Sequence, residues 1–190
     1  MSQKGNSKLV EALCNKSLVK FWNPYDSGST QGCILDIGLR FFLLGLVSGE
    51  MRFNGFQCLR LSDLRRVQVP DPYSDFIITA LRKRGESIRR KPKIKLQPLP
   101  ELLWSANRLF PLVTIHRERA KPDTCEIGRV MDVGKTHVCL LEIGPDAVWE
   151  EEPIDIPLRE ITRVDFGGGY EDALHVVGGS PVQSKLKLRK

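Results

Sequence analysis

The sequence is poor in the features that most readily announce a function. Its five cysteines, Cys14, Cys33, Cys58, Cys125 and Cys139, are odd in number and widely spaced, with no Cys-x-x-Cys pair. That spacing argues against a disulfide scaffold and a fixed tetrahedral metal site, whose ligands usually come in close pairs. The thiols therefore read as reduced residues, mostly in apolar strands. Long apolar runs are lacking too: the longest, Phe41 to Val47, is interrupted by Gly45 and far shorter than the roughly 20 residues a membrane helix needs. Met1 to Lys16 has no continuous apolar stretch followed by a cleavage signal, so the expectation is a cytoplasmic protein without membrane contact. Around Gly167-Gly168-Gly169 there is no Gly-x-Gly-x-x-Gly and no phosphate-binding Lys-Ser/Thr, and the triplet reads as a turn. The three histidines, His116, His137 and His175, fit no recurring catalytic pair. An encounter of one of them with Cys125 or Cys139 has no support in the sequence. No catalytic constellation, cofactor or metal is expected.

What is present is an ordinary globular composition. Hydrophobic residues make up 41% and charged residues 27%, which excludes a wholly disordered chain. The net charge of +6 is unevenly spread. Arg82 to Lys95 carries eight basic residues against the single acid Glu86, and Lys185, Lys187, Arg189 and Lys190 add to the tail. Leu112 to Gly178 instead has seven Lys or Arg against fourteen Asp or Glu. Positive charge concentrated in connecting and terminal segments weakens the picture of a uniformly basic surface wrapped by polyanion.

An internal repeat organises the chain. Gly32-Cys-Ile-Leu-Asp-Ile-Gly38 matches Gly128-Arg-Val-Met-Asp-Val-Gly134 at a displacement of 96 residues. Leu61 to Val67 matches Leu158 to Val164, and Tyr73 to Ile77 matches Tyr170 to Leu174, both at 97. Leu18 to Trp22 resembles Leu112 to His116 at 94, which aligns Trp22 with His116. Short segments rich in β-branched residues, separated by polar turns, predict five strands per copy. In the first they are Leu18–Trp22, Gly32–Ile37, Arg40–Val47, Phe56–Leu61 and Leu64–Val69, with Asn54-Gly55 as a turn signal. In the second they are Leu112–Arg117, Cys125–Val133, His137–Ile143, the Ile154 to Leu158 region and Ile161–Phe166. Apolar spacing predicts helices over Lys8–Asn15, Tyr73–Arg84 and Glu101–Arg108.

Five strands in about sixty residues protect their edges best by curling into a small barrel. The preceding helix, the Gly-x-x-x-Asp strand and turn (Gly32 to Asp36, Gly128 to Asp132), the apolar third strand and the Ile-Pro-Leu-x-x-Ile-x-x-Val ending (Ile156 to Val164) resemble the Sm-like, SH3-like barrel class. The chain also looks like a bacterial protein of unassigned role. The expected fold is thus mainly β, with two tandem five-stranded barrels, each preceded by a short helix. The expected organisation is a first module over 1–81, a basic linker over 82–97, a second module over 98–178 and a basic tail over 179–190. The resemblance implies single-stranded RNA binding and ring assembly through strand edges. It also has departures: Asp36 and Asp132 are not followed by the usual Asn, and Ser62-Asp63 and Arg159-Glu160 replace the usual Arg-Gly, which speaks against a uridine pocket.

Candidate functional residues follow from these readings. Asp36 and Asp132, beside Gly38 and Gly134, are expected to stabilise turns by accepting backbone hydrogen bonds, and Tyr73 and Tyr170 to close the end of each module. Phe41, Phe42, Leu43, Leu44 and Leu46 form an expected packing interface. Arg82, Lys83, Arg84, Arg89, Arg90, Lys91, Lys93 and Lys95 read first as a solvated hinge, with RNA phosphates or an acidic protein surface as functional alternatives. The run carries no interleaved aromatic residue for base stacking. The expected function is a noncatalytic protein-interaction or assembly module, partnered by another protein or by itself, with RNA binding through the basic linker as the alternative.

Overall fold

The structure is a computed structural model that describes residues 3–86 and 91–181. The chain divides into two compact units, Met1–Gln97 and Pro98–Lys190.

The first unit runs α1 (Gln3–Asn15), β1 (Leu18–Trp22), β2 (Thr30–Ile37), β3 (Phe41–Val47), β4 (Phe53–Arg60), a 3-10 turn over Leu61–Asp63, β5 (Arg66–Gln68) and α2 (Ser74–Lys83). Strand β1 shows how the sequence sorts its faces. Val19 and Phe21 enter the core, while Lys20 and Trp22 alternate to the other side, as the two-residue period of a strand requires. The core gathers Val19, Phe21, Ile34, Phe42, Leu44, Leu59, Leu61 and Val67 with Leu9 and Ala12 of α1. Phe21 and Phe42 meet edge to face with centroids 5.8 Å apart, an arrangement worth roughly 1 kcal/mol beyond the area it buries. A second cluster places Ile77 and Leu81, one helical turn apart on α2, against Leu18 and Val47. The start of α2 is fixed by Asp71, a buried carboxylate whose Oδ1 accepts the Tyr73 N–H at 2.7 Å and whose Oδ2 accepts the Gln31 amide at 2.8 Å.

The second unit repeats the plan with α3 (Leu99–Leu109), β6 (Val113–His116), β7 (Cys125–Val133), β8 (His137–Glu142), β9 (Ile154–Pro157), a 3-10 turn over Leu158–Glu160, β10 (Arg163–Phe166) and α4 (Gly169–Gly178). Leu102, Leu103 and Ala106 give α3 its buried stripe. Asn107 fixes α3 to β7: its amide donates to the Val130 carbonyl and its carbonyl accepts the Val130 N–H, both at 3.0 Å. Beneath α4, Leu174 packs with Leu112 and Ile143.

The repeat holds at the level of register. Gly32 faces Leu46 and Gly128 faces Glu142, and in both hairpins the pairing slips two residues later, leaving Leu35 and Met131 as the extra residues of β-bulges. The hairpins close alike, with Gly38 N–H on the Phe41 carbonyl at 2.8 Å and Gly134 N–H on the His137 carbonyl at 2.9 Å.

The barrel expectation is corrected by the strand order. All the strands are antiparallel and their order is open: β5-β1-β2-β3-β4 in the first unit and β10-β6-β7-β8-β9 in the second. Neither β5 with β4 nor β10 with β9 is a neighbouring pair, so neither unit is a closed five-stranded, Sm-like or SH3-like barrel. Strand length and helices explain this. Strand β5 has only three residues and Pro70, which has no N–H for a ladder, follows soon after. In the first unit α1 inserts Leu9 and Ala12 into the core, covering apolar surface that closure would have covered.

Smaller differences have local causes. Asn54-Gly55 lies inside β4, not at the turn, because Gly55 takes φ +77° and the pair forms a bulge opposite Leu46. The turn itself is closed by Ser48 N–H on the Arg52 carbonyl at 2.8 Å. Helix α4 was not expected from the sequence, because Gly169 and Gly178 at its ends lower its helical propensity. No helix among the described residues is long and apolar enough to cross a membrane.

Candidate functional site

The basic run divides among several places. Arg82 and Lys83 are exposed on the last turn of α2. Arg84 donates to the Glu50 carbonyl and, at 3.4 Å, to that of Met51. Arg89 and Arg90 lie outside the described residues. The acid of the run, Glu86, accepts the Phe53 N–H at 2.8 Å and pairs with Arg52 at 2.7 Å. These partners, the backbone N–H first, hold its carboxyl below the usual range. Lys91 pairs with Asp36 at 2.7 Å. Beyond it the chain alternates, Ile94 and Leu96 buried and Lys93 and Lys95 exposed. Gln97 accepts the Leu39 N–H at 2.9 Å. The last part of the run is thus a strap held on the β2–β3 turn of the first unit, a placement a solvated hinge would not have.

Asp36 and Asp132 occupy matching positions just after the bulges, each accepting the next residue's N–H, Ile37 at 2.9 Å and Val133 at 2.8 Å. Phe42 and Leu44 enter the first unit's core with Leu46 packed against it, while Phe41 and Leu43 alternate to the other face and are also buried. Tyr73 and Tyr170 are 63% and 55% exposed at the starts of α2 and α4, so neither ring lies in a core.

A surface missed in the sequence lies around β1 and β5. Antiparallel register sets Trp22 opposite Arg66 and Lys20 opposite Gln68. The Arg66 guanidinium lies 4.7 Å from the Trp22 ring centre, and the Lys20 ammonium lies 5.7 Å from Trp22 and 5.8 Å from Tyr73. Such contacts contribute roughly 0.5–1 kcal/mol each at exposed sites. The legible signal was the alternation in Leu18-Val-Lys-Phe-Trp22, which predicts that Lys20 and Trp22 share a face.

The equivalent place in the second unit has different chemistry. His116 stands opposite Arg163 and Cys125. Arg163 Nη2 lies 3.0 Å from His116 Nδ1, and His116 Nε2 lies 3.1 Å from Asp165 Oδ2. Arg163 also reaches Glu118 at 3.6 Å. The same Nη2 also lies 3.2 Å from His116 Nε2, so the guanidinium spans both ring nitrogens beside Asp165. Histidine, carboxylates and a cysteine thus do come together, an encounter of His116 with Cys125 for which the sequence offers no support. The thiol is not activated: partial burial, then the Asp165 carboxylate, pushes the Cys125 pKa up, away from the thiolate a nucleophile needs. The His116 nitrogens are already engaged by Arg163 and Asp165. Among the described residues no group of three or more His, Cys, Asp or Glu is placed to hold a metal ion.

On the other face of β6 and β7, Arg117 and Glu126 form a buried ion pair that also draws in Glu160 at 3.3 Å and Lys121 at 3.4 Å. Burial, then Glu126 and Glu150, raises the pKa of nearby Glu142.

No family model matches the chain, and neither does any curated protein.

Proposed function

We propose that this chain is a noncatalytic protein-interaction or assembly module of the cytoplasm that recruits a partner, another protein or a second copy, along its terminal strands. One observation carries the reading: β5 and β9 each have a single strand neighbour, β1 and β8. A strand with one neighbour keeps backbone groups on its other side for an added extended segment, and its side chains select that segment; in β5 the Val67 carbonyl already accepts from Lys8 Nζ at 3.3 Å, which an added strand would displace. The two edges differ in charge. Arg65 and Arg66 mark β5, while exposed Glu150, Glu151 and Glu152 precede β9 and Asp155 lies within it. The test is photo-cross-linking in cells from a benzoylphenylalanine at position 65 or 155. Protein adducts that survive nuclease treatment are expected, and adducts to nucleic acid alone would overturn the reading.

RNA binding is the second reading, favoured by the exposure of Arg82, Lys83 and Lys93. With phosphate contacts supplied by the run, log affinity should fall linearly with log salt. Neutralising the run should flatten that slope, and an oligonucleotide affinity that ignores both salt and the run would remove the reading.

A further inference from the structure

We propose that the Lys20–Trp22–Arg66–Tyr73 face of the first unit is the docking site for an acidic segment of a partner protein. This inference rests on the interaction reading above and names the partner's chemistry at the β5 edge.

Composition comes first. Trp, Tyr and Arg dominate the energetic centres of protein interfaces because each offers large, stiff contact area joined to a polar handle. Here one of each is assembled on one face, Arg66 and Tyr73 exposed and Trp22 half-buried. Lys20 and Trp22 point away from the core because Val19 and Phe21 point into it. Antiparallel pairing then brings Arg66 beside Trp22. Helix α2 begins at the same place, held by Asp71, and adds Tyr73 and Phe76, each 63% exposed. Such adjacent exposed aromatic surface on a monomer marks a contact site more often than chance.

Charge selects the occupant. Residues 1–97 carry 17 Lys or Arg against 8 Asp or Glu. Among the described residues neither Lys20 nor Arg66 has a carboxylate within 4.0 Å; both cations rest on aromatic rings. A ring holds a guanidinium in place while leaving its N–H donors available, and those donors match a carboxylate in pairs. An Asp or Glu side chain adding to this surface therefore gains two prepositioned cations. A peptide running beside β5 places alternate side chains on one face, so acidic residues at every second position lie next to Arg66, with Lys20 one strand farther in on β1, and apolar ones between them turn to the opposite side. Nucleic acid fits less well. Base stacking needs open aromatic faces, and the Trp22 ring already carries Arg66 and Lys20.

The test uses the full-length protein at about physiological salt, where weak surface attraction is screened. Three labelled probes are compared by fluorescence anisotropy: a peptide alternating Glu and Leu, the same peptide with Gln for Glu, and an oligouridylate of equal charge. The Glu peptide should bind, the Gln peptide should not, and Lys20→Glu with Arg66→Glu should weaken binding about tenfold or more, each such factor being 1.4 kcal/mol. Lys135→Glu, exposed on the β7–β8 turn of the second unit, should leave it unchanged. Trp22→Phe, a milder variant whose fold is checked by its thermal transition, should weaken binding severalfold. Glu-peptide affinity indifferent to Lys20 and Arg66, or oligouridylate binding tighter at the same two residues, overturns the inference. The cross-linking assay separates the two claims. Protein adducts at position 65 that persist in the Lys20→Glu, Arg66→Glu protein leave the interaction reading standing without the acidic partner, while absence of protein adducts from the unaltered chain removes the reading itself.

Discussion

Replacing Gly128 with alanine tests the repeated hairpin at its tightest point. A Cβ there would lie 2.0 Å from the Leu141 carbonyl oxygen, 2.8 Å from the Leu141 carbonyl carbon and 2.9 Å from the Glu142 Cα. Ordinary carbon–oxygen approach between strands is roughly 3.3–3.6 Å, so the methyl overlaps backbone by more than an ångström. No side-chain rotation relieves it; β8 must move away from β7 just before the bulge at Met131. Overpacking of this kind costs about 1–3 kcal/mol, and backbone as the obstacle puts the expectation at the upper end, about 2–3 kcal/mol. For a unit of this size each kcal/mol lowers Tm by roughly 4–8 °C, which gives a fall of roughly 10–20 °C in the second unit's transition by calorimetry. Gly32→Ala, whose Cβ would lie 2.3 Å from the Gly45 carbonyl oxygen, should do the same to the first unit. Gly134→Ala is the control, its nearest neighbour being the His137 carbonyl oxygen at 3.6 Å, and it should move Tm little. Equal tolerance of alanine at Gly128 and Gly134 would refute the close-approach argument.

Other expectations follow from the same packing. Glu126→Leu leaves the buried Arg117 guanidinium with Glu160 at 3.3 Å but without its paired carboxylate and should cost about 3 kcal/mol by denaturant unfolding, while adding Arg117→Met should restore much of the loss. Because the Glu142 pKa is raised in the folded protein, the folded state binds its proton more tightly than the unfolded chain, and stability falls as pH rises from the ordinary carboxyl value of 4.5 through the raised value. Glu142→Gln should therefore raise Tm at pH 7 and lose that advantage below about pH 4, and a constant difference across pH would count against this account. Gly38→Ala would set a Cβ 2.9 Å from the Leu96 Cβ and loosen the strap, so trypsin should cut after Lys93 and Lys95 severalfold faster than in the parent.

Much of the local structure was legible because it rests on short-range pattern. Leu18–Trp22 and Cys125–Val133 have the bounds that alternation predicts, and Phe41–Val47 falls within its predicted strand. The repeat carried the matching Asp and Gly turns. Closure was not legible, because whether a ladder ends or returns depends on contacts between strands far apart in sequence. The three-residue β5 and the insertion of Leu9 and Ala12 decide it, and neither leaves a periodic mark. The strap was hidden for a different reason: Lys93-Ile-Lys-Leu96 is an alternating pattern, but its basic residues drew the reading toward solvent. Likewise Arg66 lies 44 residues from Trp22, so their stacking became readable only once β5 was paired with β1.

That pairing has a consequence for how the two copies came to differ. The same ladder position holds Trp22 opposite Arg66 in one unit and His116 opposite Arg163 in the other. The arginine is common to both; its neighbour is an aromatic ring that seats a cation in one and an imidazole beside carboxylates in the other. The backbone thus keeps the same pairing whichever residue faces that arginine, so the chemistry at that position differs between the copies without a change of ladder. Exchanging Trp22 and His116 between the copies is a natural starting point for retracing that divergence, since the backbone on either side already matches.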